Sequence, residues 1–276
     1  MRVSDEIATG SAAIGVASEP PTRWWSEVLF VGAFYGLYTL VRDGFGSNAV
    51  QARSNALDEI NVERALGIFH EAAIQHEVLA YPDLISAANL FYGTAHFLAP
   101  IALLFVVFFW FPSHYRLARN ALGWITALSL LIYAAFPVMP PRLLPQSFGF
   151  VDTLKSIGGL PSGFAFLMKE GGNAFASMPS VHVAWAVWFA AVVMLITERR
   201  GVHMLAFLFP VFTTMVVVVT GNHYFLDVLA GVVVCDIGFL CALGHERRQS
   251  VQPGLHLPGV AESRRVHSMH DGENVQ

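Results

Sequence analysis

The stretch Met178-Pro179-Ser180-Val181-His182-Val183-Ala184-Trp185-Ala186-Val187-Trp188-Phe189-Ala190-Ala191-Val192-Val193-Met194-Leu195-Ile196-Thr197 contains no Asp, Glu, Lys or Arg. It ends a charge-free run over residues 171–197, long enough for the roughly 20 residues a spanning helix needs. Comparable runs flank it at residues 28–41, 84–112, 120–141 and 201–226, and a sixth, interrupted by Asp236, continues to residue 244. The first is short, but Trp24 and Trp25 extend it and suit an interfacial aromatic belt. These runs predict an all-α, polytopic membrane protein with about six transmembrane helices in one bundle. The opening stretch also sets His182 at the edge of its run. A second segment, Thr220-Gly221-Asn222-His223-Tyr224-Phe225-Leu226-Asp227, sets another histidine and a carboxylate at the edge of the next. Ionisable side chains are costly at a membrane boundary, so their placement there points to chemistry rather than packing.

Composition supports this class. Of 276 residues, 55% are hydrophobic and 13% charged, and the mean hydropathy is +0.54; soluble domains are about a quarter charged. The net charge of −4 provides no broad basic surface, which argues against a nucleic-acid partner. Cys235 and Cys241 fall inside the last apolar run and read as apolar fillers, not as a disulfide or zinc pair. Residues 1–23 lack the basic-then-apolar order of a cleaved signal peptide and read as an N-terminal cytoplasmic segment. Residues 24–246 form the expected six-span catalytic domain, and residues 247–276, with prolines, glycines and mixed charges, a disordered cytoplasmic tail.

Loop charges predict the orientation in the cell membrane. Arg116 and Arg119, Arg199 and Arg200, and Arg247, Arg248, Arg264 and Arg265 fall in alternate connections, which the positive-inside rule assigns to the cytoplasm. Residues 42–83, residues 142–177 and the tight connection at Gly221 and Asn222 then lie outside, and both histidine segments open to that extracytoplasmic side. In the outer segment 52–75, Leu57, Ile60, Ala65, Leu66, Phe69 and Ala73 alternate with Arg53, Asp58, Glu59, Glu63, Arg64 and Glu71. This pattern fits an outer amphipathic helix lying on the membrane or one packed over the bundle, and both readings stay open.

His223 and Asp227 are four residues apart, a spacing at which a carboxylate can hold an imidazole, fix its tautomer and raise the basicity of its free nitrogen. An imidazole so oriented can act as a nucleophile toward phosphorus or as a base. Met178-Pro179-Ser180 reads as a helix start whose unpaired N–H groups face an anion near His182. In Phe136-Pro137-Val138-Met139-Pro140-Pro141-Arg142-Leu143-Leu144-Pro145, the prolines stop a span and stiffen its exit. They display Arg142, a fixed fork suited to a phosphate.

In order, Pro-Pro-Arg at 140–142, Pro-Ser-x-His at 179–182 and Gly-x-His-Tyr-x-x-Asp at 221–227 resemble the three signatures of the type-2 phosphatidic acid phosphatase superfamily, in particular its inositol phosphorylceramide synthase-like, inositolphosphotransferase-type branch. The resemblance implies a six-helix bundle with no metal and no cofactor, acting on a lipid with a phosphate head group and passing the phosphoryl group to water, an acceptor alcohol or a second lipid. It implies that His223 attacks phosphorus to form a phosphohistidine, Asp227 orients it and His182 protonates the leaving oxygen. Arg142, with the amides near Ser180 and Val181, would hold the phosphate. Two family cations have no counterpart: Ala135 stands where a lysine is usual, and Val216-Val217 where a Ser-Arg pair precedes the histidine. Lys155, Lys169, Arg53 and Arg64 are candidate replacements.

Tyr92, His96, Asn222 and Tyr224 are further candidates to line the site. His70, His76, His114 and His203 read as solvated, and Asp236 as a helix–helix hydrogen-bond partner. Two other classes compete with a lipid phosphatase or phosphotransferase. One is a metal-dependent intramembrane hydrolase liganded by His182, His223 and Asp227, which lacks a His-Glu-x-x-His pattern. The other is a transporter, which predicts polar positions through the full membrane depth rather than at one end.

Overall fold

A computed structural model of the chain describes residues 48–158 and 174–251, together with the separate helical positions Trp25, Leu29, Gly32 and Gly36. The chain divides into two units, Met1–Gly46 and Ser47–Gln276. In the first unit the described positions are all helical and fall within or beside the run expected to form the first span; segment 1–23 and the rest of that run lie outside the described residues.

The described residues of the second unit form the α-helices α1 Ala49–Leu66, α2 Glu71–Leu79, α3 Pro82–Trp110, α4 Pro112–Ala135, α5 Thr153–Ser156, α6 Val181–Ile196, α7 Arg200–Val219 and α8 Phe225–Val251. Among the described residues, extended pairing is limited to an isolated bridge between Val138 and Ala176. Helix α8 runs through the first residues of the expected tail; residues 252–276 lie outside the described set.

Among the described residues, three helices are long and apolar enough to cross a membrane: Pro112–Ala135, Arg200–Val219 and Phe225–Arg248. A fourth candidate span is α3, whose two halves meet at 43° and together pass the same test. Pro100 lies inside α3; a helical proline removes one hydrogen bond and crowds the carbonyl four residues earlier, here His96, which accounts for the bend. Six spans are therefore not reached among the described residues. Within the run expected over 171–197, the helix Val181–Ile196 has 16 residues, and Ser180, with extended backbone, caps its start.

Short as it is, α6 occupies the centre and packs against α3, α4, α7 and α8. That position explains a sequence apolar on every side. Trp188 is fully buried and donates from Nε1 to the Ala118 carbonyl at 2.9 Å, and Trp185 donates to Thr126 Oγ1 at 3.0 Å, tying α6 to α4. Helix α8 approaches closely at two glycines: a Cβ on Gly238 would lie 2.5 Å from the Ile125 side chain, and one on Gly231 would lie 2.5 Å from the Ser180 carbonyl oxygen. Large apolar side chains such as Phe105, Leu131, Leu205, Met215 and Leu240 are exposed on the outer surface, where lipid replaces water. Asp236, expected to join two helices, is likewise exposed among the described residues.

The segment expected to be one amphipathic helix is two. Gly67 ends α1 with φ 72, its N–H and that of Ile68 closing back on Arg64 and Glu63 carbonyls, a left-handed cap that glycine adopts without strain. The buried face of α1 is Ala52, Asn55, Ala56, Glu59, Ile60 and Glu63, a single helical stripe. It is small and acidic rather than greasy, so α1 suits packing over the bundle better than floating on lipid.

Candidate active site

Three segments meet at one end of the bundle. The first is the entry to α6. Ser180 accepts the Val183 N–H on its Oγ at 3.4 Å and so caps the helix. Pro179, expected within the first turn, precedes the cap in a cis Met178–Pro179 peptide, and its carbonyl accepts the Tyr133 hydroxyl at 2.7 Å. His182, 8% exposed, stacks on Tyr92 of α3 with centroids 4.2 Å apart and planes at 17°.

The second segment is the turn from α7 to α8. Gly221 has φ 68, a left-handed backbone that favours glycine, and a Cβ there would lie 2.8 Å from Gln75 Nε2, which would have to shift. His223 follows with Nδ1 3.2 Å from Asp227 Oδ2. The pair bridges the start of α8 rather than sharing a helical face, because α8 begins at Phe225. Asp227 is the third residue of that helix and its Oδ2 also accepts the Tyr224 N–H at 2.9 Å, the geometry of a capping box. Ser177 Oγ donates to the same oxygen at 2.6 Å. The His182 and His223 rings are 5.5 Å apart, and His223 Nε2 has no hydrogen-bond partner among the described residues.

The third segment is the proline-stiffened exit from α4. Arg142 lies in a 3-10 turn, Pro141–Leu143, and its N–H donates to the Gly221 carbonyl at 2.8 Å. Its Nε donates to Asn222 Oδ1 at 2.8 Å and its Nη1 lies 3.4 Å from Asp152 Oδ2. Asn222 in turn donates from Nδ2 to Thr220 Oγ1 at 2.8 Å. The guanidinium is thus fixed beside the residue preceding His223.

The structure therefore brings together His182, His223, Asp227, Arg142, Ser180, Tyr92 and Asn222. Tyr224 turns away: it is fully buried, its hydroxyl donates to the Met139 carbonyl at 3.0 Å and its ring meets Phe150 edge-on. The side chain of His96 and all of Lys169 lie outside the described residues. Arg53 and Arg64 are exposed on α1, with Arg64 over the Phe69 ring at 5.0 Å. Lys155 is exposed on α5, whose N-cap is the Asp152 that meets Arg142. His76 and His203 contact backbone carbonyls, of Gly149 at 2.8 Å and Thr197 at 2.6 Å.

Sequence reasoning missed the acidic layer behind the turn. Glu71 Oε1 accepts the Phe225 N–H at 3.0 Å and Glu63 Oε1 the Leu226 N–H at 2.7 Å. Two carboxyl groups from α1 and α2 thus satisfy donors that the first turn of α8 cannot satisfy itself, at the positive end of its dipole. Glu59, 4% exposed, lies against Asp227. Burial, above all, pushes Glu59 up to about 11 and Glu63 up to about 9, with neighbouring carboxyl groups adding to it. The available signal was the placing of Glu59 and Glu63 on the stripe that carries Ala52, Ala56 and Ile60, a face too small and regular for a solvated one.

A model of the PAP2 superfamily matches residues 59–241. The range begins at Glu59 and includes all three segments of the site. The catalytic subunit of inositol phosphorylceramide synthase, aur1, of Schizosaccharomyces pombe (strain 972 / ATCC 24843) is 25% identical over 165 residues. That alignment covers 55% of this chain and 38% of the relative, so the shared region is a minority of the yeast protein and the homology is distant. No solved structure gives a significant match.

Proposed function

The chain belongs to the PAP2 superfamily, and from that premise we propose that it cleaves a lipid phosphoester at the outer membrane face through a phosphohistidine on His223. The observation that carries the reading is the meeting of two buried imidazoles 5.5 Å apart, one held by Asp227 and the other stacked on Tyr92, beside a fixed guanidinium.

Asp227 Oδ2 accepts a hydrogen bond from the Nδ1–H of His223, which leaves the Nε2 lone pair free to attack phosphorus. As the P–O bond to the leaving group breaks, His182 gives that oxygen a proton. Arg142 and the α6 N-terminus stabilise the charge on the remaining phosphoryl oxygens. In the second step His182 takes a proton from water or an acceptor alcohol, whose oxygen attacks the phosphohistidine and frees His223. Oriented imidazoles carry the whole cycle, and Arg142 is pre-bound by Asn222 and Asp152, so little side-chain ordering accompanies phosphate binding.

The test uses purified protein in detergent with phosphatidic acid, polyprenyl diphosphate and phosphatidylinositol, each with and without ceramide or diacylglycerol. Phosphate release independent of acceptor identifies a phosphatase; a new head-grouped lipid that requires acceptor identifies a phosphotransferase. His223→Ala should lose all turnover of the active substrate while remaining folded, and a chelator arm should leave wild-type turnover unchanged. Full activity in His223→Ala would sink the mechanism.

A further inference from the structure

The two oxygens of Asp227 have unequal surroundings. Oδ2 meets Ser177 Oγ, the Tyr224 N–H and His223 Nδ1. Oδ1 is buried without a donor among the described residues, and so are both carboxyl oxygens of Glu59. Yet Glu59 and Asp227 lie within hydrogen-bonding contact of each other. Two ionised carboxylates in that position would repel, and neither could donate. One proton shared between them resolves both conflicts.

The surroundings assign that proton to Glu59. Asp227 sits in the first turn of α8, where the helix dipole favours an anion, and its Oδ2 already has donors. Glu59 has none, and faces Asp227 and Tyr224 at the start of α8, Glu63 on its own helix and Glu71 on α2. Burial holds its carboxyl protonated well above neutrality, at about 11.

We propose that Glu59 is a positioning residue for the phosphoryl transfer described above: its protonated carboxyl donates to Asp227 Oδ1, so that Asp227 presents Oδ2 alone to His223. The proposal rests on that reading of His223. Without the donor, Asp227 would keep a buried, unsatisfied oxygen and could rotate or take up a proton, and His223 would lose the partner that fixes its tautomer.

Two variants separate this from simple space filling. Glu59→Gln keeps an N–H that can donate to Oδ1; Glu59→Leu fills the volume without a donor. kcat of Glu59→Gln should exceed that of Glu59→Leu by roughly 10- to 100-fold, the value of one hydrogen bond to a charged group, with KM alike in the two. Infrared spectra of the wild type should show a protonated carboxylic acid C=O band persisting above neutral pH, and that band should weaken in Glu59→Gln. Equal kcat in both variants, or an unaltered band, overturns the proposal. If Glu59→Leu does not fold, the infrared comparison still decides. Activity retained in His223→Ala would remove the nucleophile assignment, whereas the band reports on the carboxyl pair independently of turnover.

Discussion

Arg142 is held from two sides before any substrate arrives, by Asn222 on Nε and Asp152 on Nη1. Lysine has one compact ammonium and cannot keep both contacts while facing a phosphate. Arg142→Lys should therefore lower kcat/KM on the active lipid phosphate by about tenfold or more; an unchanged value would move the phosphate clamp elsewhere. At this scale the sequence revealed what its motifs carry. His182, His223, Asp227 and Arg142 stand at the edges of apolar runs, where each departs from its surroundings. Ser177 was illegible because an isolated serine announces no partner, and it reaches Asp227 across 50 residues of chain. Glu59 was half-legible: its place on the stripe of Ala52, Ala56 and Ile60 was visible, but acids in a charged segment read as a solvated face until the fold turns that face inward.

Among the elements, α1 and α2 bind the start of α8 with carboxyl groups, which gives folding a pH dependence. Glu63 titrates near 4.5 when unfolded and at about 9 when folded, chiefly through burial and then through its contact with Glu71. Between those values the folded protein keeps a proton that the unfolded chain has lost. The stabilisation is thus complete below about 4.5 and lost as pH rises through about 9. Melting temperature in detergent should fall across that window, and Glu63→Gln, which retains a carbonyl for the Leu226 N–H, should flatten the slope. A wild-type melting curve that rises with pH would contradict the assignment. Helix boundaries were only partly readable. Charge-free runs located α3, α4, α7 and α8, and Met178-Pro179-Ser180 marked the start of α6, though Pro179 falls outside the helix and Ser180 is its cap; the stop set by Gly67 emerged from the structure alone.

For the whole molecule, the proposed orientation makes a direct demand on labelling. Lys155 and Arg199 are exposed. Thr153 Oγ1 donates to the Thr220 carbonyl beside the end of α7, whereas Arg199 caps the other end of that helix. With Cys235 and Cys241 replaced, a membrane-impermeant thiol reagent applied to intact cells should modify Lys155→Cys and spare Arg199→Cys. The reverse pattern would invert the protein. The central helix adds a consequence for which molecules can react. At 16 residues α6 is about 24 Å long, against about 30 Å for the hydrocarbon core and about 30 Å for the 20 residues of α7. The two helices share a short turn at residues 197–199, so the end bearing His182 stops about 6 Å short of the depth a full span reaches. In the proposed orientation, an amphiphile need only dip its head group to that level while its tails stay dissolved. A water-soluble phosphate ester of the same chemistry would have to leave its hydration behind, so the shortness of one helix selects substrates by the phase in which they reside.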